Sequence, residues 1–195
     1  MTDHNPNPTP QDETERLQAH LREQADEQFQ RQMQEAATLL SNGNGKDAIP
    51  LLERLNKLQP DHVAILLNLG GAYILAGQHK RAVPVLERAS NLAPRDPSVW
   101  ANLAAAYLGK LITSSGKRQE SALAAYQRVI ELDAAYPNVH YNMGLIYVDR
   151  RDWDAAHAAF SRAIEANPHD RDAHTMRNRV EIIRNRPSQS QPNNN

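Results

Sequence analysis

The sequence contains no cysteine, and it is poor in large aromatic residues, with two Trp and two Phe among 195 residues. The lack of cysteine excludes disulfide bonds, thiolate catalysis and cysteine-ligated zinc. The shortage of aromatic and β-branched runs disfavours a β-sandwich or a β-barrel, whereas abundant Ala and Leu suit closely packed helices. We therefore expect a helical protein without disulfide or zinc cross-links.

The chain also lacks an excess of one charge and any long apolar run near its start. It carries 22 basic and 23 acidic residues, so its formal net charge of −1 creates no long-range field for nucleic acid or an anionic membrane. Residues 1–32 are polar almost throughout, without a stretch as long as an export signal or a membrane span requires. We expect no nucleic-acid or membrane partner, and a cytoplasmic location.

Small and turn-forming residues recur along the chain with a fixed period. Three series of such residues keep steps of 34, 34 and 40 residues. They are Ala36, Gly70, Ala104 and Gly144; Ala48, Ala82, Ala122 and Ala156; and Pro60, Pro94, Ala134 and Pro168. One spacing shared by three series indicates a repeat architecture, in which each unit buries its apolar face against its neighbours.

Within each unit the apolar residues have the spacing of two helices joined by a turn. Leu66, Leu69, Gly70 and Tyr73 fall at i, i+3, i+4 and i+7, and the same spacing returns in the next two units. Gly77 marks the turn of the second unit, and a second apolar stripe begins after it. Small residues in both stripes allow the two helices to approach closely beneath larger side chains.

These residues resemble the motif of the tetratricopeptide repeat family. The family pattern is matched by Trp100-x-x-Leu103-Ala104-x-x-Tyr107, by Leu69-Gly70-Gly71-Ala72-Tyr73-x-x-x-Gly77, and by Asp152-Trp153-Asp154-Ala155-Ala156 leading to Phe160, Ala163 and Pro168. The resemblance implies an all-α fold, a right-handed α-solenoid of helix-turn-helix repeats. It also implies a role in binding other proteins, without indicating which ones.

The motif predicts how the chain is divided. Four repeats are expected, at residues 29–62, 63–96, 97–136 and 137–170. A polar helix or helix extension is expected at 12–28, a capping helix at 171–185, and disordered tails at 1–11 and 186–195. In the capping helix, Val180, Ile182 and Ile183 are expected to cover the last repeat. The third repeat has six additional residues between Gly109 and Gln119, which are expected to form a surface loop or a helix extension.

In this family the face beside the core stripe lines a concave surface, and in this chain that face is apolar for a surface that meets solvent. The candidate peptide-binding residues on it are Leu67, Asn68, Ile74, Asn102, Tyr141, Asn142 and Leu145. The three Asn residues recur once per repeat, and an amide can both donate to and accept from a peptide backbone. Alternatively, these amides bond neighbouring repeats, and the sequence leaves both interpretations open.

No catalytic or metal site is indicated by the sequence. The eight His residues lack metal-ligand spacing, and no strand precedes a glycine-rich phosphate loop. Some relatives bind chaperone tails through a clamp of Lys, Arg and Asn, but Met33, Ala37 and Ser98 stand at matching positions here.

We therefore expect a non-catalytic adaptor without a cofactor, which binds a peptide segment of another protein in its groove. The alternative is a self-associating architectural protein, a homo-oligomer whose groove is filled by its own helix over 12–28.

Overall fold

The computed structural model describes residues 10–110 and 116–185, and these residues form helices and turns without any strand. The helices within these two ranges are α1 (Pro10–Ser41), α2 (Gly45–Leu58), α3 (Val63–Leu75), α4 (His79–Leu92), α5 (Pro97–Leu108), α6 (Gly116–Leu132), α7 (Val139–Asp149), α8 (Trp153–Ala166) and α9 (Arg171–Arg184). None of these helices is long and apolar enough to cross a membrane. Each helix packs against the next along the chain. The two predicted tails lie outside the described residues, except that Pro10 and Gln11 belong to α1.

The turns inside three of the helix pairs share one hydrogen-bonding pattern. After α3, the backbone amide of Gly77 donates to the carbonyl of Ile74 at 2.9 Å. The backbone amide of Gln78 donates to the carbonyl of Tyr73 at 2.7 Å. Gly77 has φ of +72°, a left-handed conformation that costs glycine little and closes the helix. Arg151 holds the same conformation in the fourth pair, with φ of +58°. The predicted turn after the first helix of the unit is therefore confirmed at Gly77.

The core lies between the two helices of each pair, at the small residues that the sequence pattern singled out. A Cβ placed on Gly70 would lie 2.5 Å from the buried side chain of Leu86, and one on Gly144 would lie 2.7 Å from Phe160. Leu86 and Phe160 are both fully buried. Each glycine thus lets the helix that carries it lie directly against a large side chain of its partner.

Neighbouring repeats are joined by hydrogen bonds between a tyrosine and a glutamate. The hydroxyl of Tyr73 donates to Glu53 at 2.7 Å, and 34 residues later the hydroxyl of Tyr107 donates to Glu87 at 2.7 Å. Burial and the bonded glutamate raise the pKa of each tyrosine to about 12. The hydrogen bond from Tyr73 and the nearby Arg81 guanidinium outweigh burial and lower the pKa of the Glu53 carboxyl.

The additional residues of the third repeat are partly incorporated into the fold. Gly109 and Lys110 follow α5 and Gly116–Gln119 begin α6, while residues 111–115 lie outside the described part of the chain. The start of α6 is the helix extension that was one of the two expectations, and within it Gln119 is only 3% exposed. Its amide donates to Asp149 at 2.7 Å and accepts from Arg150 at 2.8 Å. Because both ends of the amide are bonded, the polar side chain can be buried.

The first helix is one continuous helix of 32 residues that extends beyond the solenoid. Phe29 and Met33 pack against the core of the first repeat, and the Phe29 ring lies 5.2 Å from that of His62. The side chains described within 11–28 are exposed, including Leu17 at 59% and Leu21 at 54%. This segment does not cover the apolar surface of its own chain.

Only part of the prediction for the C-terminal helix is correct. In α9, Ala173 and Val180 are buried against the end of the solenoid, at 0% and 1% exposure. Ile182 and Ile183 are exposed, at 62% and 41%, so the expectation that they cover the last repeat is wrong. Ile182 follows Val180 by two residues, which places it about 200° around the helix, and Ile183 lies in the last turn.

Replacing Gly70 with alanine is expected to lower the free energy of unfolding by about 1–3 kcal/mol, because the new methyl group would overlap buried Leu86. The matched control is Gly71→Ala, where the nearest atom lies 4.0 Å from the added Cβ. There the helix propensity of alanine should leave stability unchanged or raise it by up to about 1 kcal/mol. Urea unfolding followed by circular dichroism measures both variants. Equal losses would contradict a close helix contact at Gly70.

Replacing Val180 with alanine is expected to lower the free energy of unfolding by about 1–3 kcal/mol, because two buried methyl groups are removed from the end of the solenoid. Ile182→Ala is the control in the same helix, and it should change stability by less than about 0.5 kcal/mol because the side chain is exposed. Thermal unfolding compares the two. If the Ile182 variant is the less stable one, α9 packs differently from this description.

Candidate functional site

An apolar groove crosses the first helices of the first three repeats. Its volume is about 400 Å³. Its walls come from α1, α3 and α5, and the lining residues are Leu40, Leu67, Asn68, Gly71, Ile74, Leu75, Asn102 and Ala105. We call this surface the groove. It brings together four of the seven candidate residues from the sequence, namely Leu67, Asn68, Ile74 and Asn102.

The groove is open where the residue at one repeated position is small. Gly71, Ala105 and Leu145 occupy this position in the second, third and fourth repeats. Gly71 and Ala105 lie on the groove, whereas Leu145 packs against the cluster that contains Phe160 and Val180. A leucine fills the space that glycine and alanine leave open, so the groove lies on the first three repeats.

The two amides of the groove differ in how much hydrogen-bonding capacity they leave free. The Asn102 amide donates to the carbonyl of Ser98 in its own helix at 2.9 Å. Its side-chain oxygen lies 4.0 Å from the Cβ position of Gly71, across the interface between repeats. Asn68 has no side-chain hydrogen bond to any residue in the described part of the chain. Its amide can therefore donate and accept in the groove without breaking an internal bond.

The remaining three candidates lie in the fourth repeat, away from the groove lining. The Asn142 side chain lies near Tyr126 of the preceding repeat. Burial raises the pKa of Tyr126 to about 12, and the nearby Asn142 amide opposes the increase. The Tyr141 ring packs edge-on against Phe160, with centroids 5.6 Å apart, and Leu145 contacts the same cluster. All three residues are half-buried.

A second cavity, of about 430 Å³, lies beside the groove at the helix turns of the second and third repeats. We call it the basic cavity, and it is lined by Gly77, Gln78, His79, Lys80, Arg81, Gly109, Lys110 and Arg118. Burial and the nearby charges of Lys110 and Arg118 lower the pKa of His79. The Nδ1 atom of His79 is shielded from solvent and has no partner within the described ranges.

The sequence interpretation missed the basic cavity. Lys80 and Lys110 are 30 residues apart, and the additional residues of the third repeat place Lys110 and Arg118 beside the turn of the second. The only available signal was that this insertion carries several basic residues. Within the described residues, no group of three His, Asp or Glu side chains is arranged to hold a metal ion. The groove itself supplies apolar contact and amide hydrogen bonds.

The repeat period, the paired helices and the turns agree with family models for the tetratricopeptide repeat. Such models match residues 39–107 and 137–170, and a TPR repeat model matches residues 114–150. The chain belongs to the tetratricopeptide repeat family. Its fold is accordingly the all-α, right-handed solenoid that the sequence predicted, and this tetratricopeptide repeat protein places its groove on the first helices of its repeats.

Solved structures of other tetratricopeptide repeat proteins share the fold. The crystal structure of MamA has a TM-score of 0.67 at 23% identity and covers 76% of this chain and 84% of that one. TTC0263, a thermophilic TPR protein of Thermus thermophilus, has a TM-score of 0.66 at 20% identity, with 80% and 83% covered. The first TPR of Spaghetti (RPAP3), bound to the HSP90 peptide SRMEEVD, has a TM-score of 0.55 at 18% identity, with 62% and 94% covered. No curated protein sequence matches the chain significantly.

The three repeated Asn residues are expected to contribute differently to stability. Asn142→Ala should lower the free energy of unfolding by about 1–3 kcal/mol, because it removes the amide near the buried Tyr126 side chain. Asn68→Ala should change it by less than about 0.5 kcal/mol, because this amide has no partner in the described residues. Urea unfolding of the two variants tests the difference. A large loss for Asn68→Ala would show that this amide is structural.

Proposed function

We propose that this protein is a non-catalytic adaptor that binds a segment of another protein in the groove. The observation that carries the proposal is an open apolar groove that contains the unpaired amide of Asn68. An exposed apolar surface of this kind is costly in water and usually marks an interaction site. The fold supports the proposal, because tetratricopeptide repeats commonly present such a surface to a protein ligand.

The chemistry of the groove indicates what kind of segment fits. Leu67 and Ile74 offer apolar contact to side chains, while Asn68 can bond both the amide and the carbonyl of a backbone. Backbone bonds supply affinity without reading side chains, so the apolar contacts would select the sequence. The proposed ligand is therefore a segment whose apolar side chains face the groove floor.

One similar structure supports binding to a peptide, although the groove here differs chemically from a carboxylate site. The first TPR of Spaghetti (RPAP3) is bound to the HSP90 peptide SRMEEVD. The lining of the groove in this chain contains no Lys or Arg, and the basic side chains lie in the neighbouring cavity. We therefore do not propose that the groove floor recognises the acidic end of a chaperone.

Self-association is a second candidate function, and the exposed leucines of α1 favour it. Leu17 and Leu21 are each more than half exposed, on a segment whose described side chains all face solvent. Burying these leucines would lower the free energy by about 1.5–3 kcal/mol for each fully buried side chain. The groove of another copy is one place where this could occur.

Filling the groove should abolish binding without unfolding the protein. In Gly71→Gln the new side chain enters space where the nearest atom is 4.0 Å from its Cβ, so the helix is retained and the groove is blocked.

Combined Asn68→Ala and Asn102→Ala should weaken binding by about 5- to 150-fold, since each lost hydrogen bond contributes about 0.5–1.5 kcal/mol. Affinity capture from the source cell identifies partners, and calorimetry with the captured partner measures the effect.

The matched controls add or remove the same groups outside the groove. Ala124→Gln adds the same side chain to an exposed position of α6, and Asn91→Ala removes an exposed amide at the end of α4. Both controls should bind the partner with wild-type affinity. If Gly71→Gln folds and retains full affinity for every captured protein, the groove is not the binding site.

A further inference from the structure

One repeated position of the first helices is empty in the second repeat and filled in the fourth. Gly71 and Leu145 occupy this position, each directly after the glycine that contacts the partner helix. Beyond the local backbone, the nearest atom to a Cβ added at Gly71 lies 4.0 Å away. The Leu145 side chain packs against the buried cluster that contains Phe160 and Val180. The fourth repeat therefore shows which group fits at this position, a large aliphatic side chain.

The helix that faces this position differs between the two repeats in a matching way. Asn102 lies three residues after buried Val99 of α5, and Met176 lies three residues after buried Ala173 of α9. Asn102 and Met176 thus take the same place on the helix that follows each position. Met176 packs against the cluster that Leu145 also contacts. An apolar residue faces the position that a leucine fills, and an amide faces the position that is empty.

The amides beside the empty position can bond a peptide backbone. The side-chain nitrogen of Asn102 donates to the carbonyl of Ser98 in its own helix at 2.9 Å. The side-chain oxygen then faces Gly71, 4.0 Å from the added Cβ, where it can accept from an N–H. A ligand that covers this oxygen without donating to it would leave a buried acceptor unsatisfied, which costs about 1–3 kcal/mol. A peptide carries such a donor, since the backbone N–H of each residue lies beside its side chain.

The lining of the groove further restricts the side chain that enters this space. No Lys, Arg, Asp or Glu lines the groove, so an ionised ligand side chain would lose its water without gaining a counter-charge. Leu67 and Ile74, one turn to either side of Gly71 on α3, offer aliphatic contact instead. The space is therefore suited to an uncharged, aliphatic side chain.

We propose that the space over Gly71 is a subsite for one large aliphatic side chain of a bound peptide segment, whose adjacent backbone N–H donates to the Asn102 oxygen. The inference rests on the proposed function of the groove as a protein-binding site, and it names the residue that sets the specificity of that site. Gly71 determines which side chain enters, because its lack of a side chain creates the space. Asn102 bonds the backbone, so its contribution is the same for every side chain.

A random peptide library displayed on phage and selected on the full-length chain tests this subsite. The selected peptides should share Leu, Ile or Met at one position. In a synthetic copy of one such peptide, changing this residue to alanine should weaken binding to the wild-type chain by about 10- to 150-fold, because the burial of one aliphatic side chain is lost. Titration calorimetry measures the original peptide and its alanine copy.

Gly71→Leu places in the second repeat the side chain that the fourth repeat carries at this position. It should weaken the original peptide by at least about tenfold and leave the alanine copy unaffected, because only the original peptide needs the space. Gly71→Ala, a smaller change, should weaken the original peptide by a smaller factor. Asn102→Ala should weaken both peptides equally, by about 2- to 13-fold, since it removes one backbone bond. Ala124→Leu adds a leucine at an exposed position of α6 and should bind both peptides like the wild type.

The inference is overturned if the selected peptides share no large aliphatic residue, or if the Gly71 variants weaken the original peptide and its alanine copy by the same factor. In the second case the groove still binds peptides, so the proposed function stands without the subsite. If the Gly71 variants fold and bind both peptides like the wild type, the peptides bind elsewhere, and the proposed function of the groove fails as well.

Discussion

The close approach of two helices at a residue without a side chain is the contact on which the rest of this structure depends. At Gly70 the backbone of α3 lies against buried Leu86 of α4, and at Gly144 the backbone of α7 lies against Phe160 of α8. A single helix pair leaves one face uncovered, so each pair must pack on the next. The spacing of these contacts along the chain therefore sets the spacing of the repeats, and with it the position of every first helix.

The groove follows from the same arrangement, because the first helix of a repeat packs against its partner helix with one face and lines the groove with the next face. Gly70 faces the partner helix while Gly71, the next residue, faces the groove. Successive residues of a helix point about 100° apart, so a helix that fixes its core face also fixes which residues line the adjoining face. The groove is then open where this face carries a small residue, as at Gly71 and Ala105, and filled where it carries Leu145.

The fixed relation between the core face and the groove face of a helix explains which features could be predicted from the sequence. The paired helices follow from helical spacing, which is a local property, whereas the place of Leu67 and Asn68 on the groove is what the family resemblance implied. The proximity of Asn142 to Tyr126 could not be predicted, because spacing places an amide on a face without showing which neighbour it meets. The burial of Gln119 depends on Asp149 and Arg150, about 30 residues away, and the basic cavity is likewise assembled from two repeats. Contacts between repeats are the part that a single sequence leaves undetermined.

The two proposed uses of the groove are linked by their geometry. A partner segment and the helical segment at 11–28 of another copy would both cover Leu67 and Ile74, so one molecule cannot hold both ligands. Any ligand that binds the free groove shifts the equilibrium away from the assembled state, and assembly in turn raises the apparent dissociation constant of the partner. Self-association depends on the concentration of the protein, and partner binding depends on the concentration of the partner. The ratio of these two concentrations would set what fraction of the grooves holds the partner. The exposed helical segment at 11–28 would then compete with partner segments for the groove.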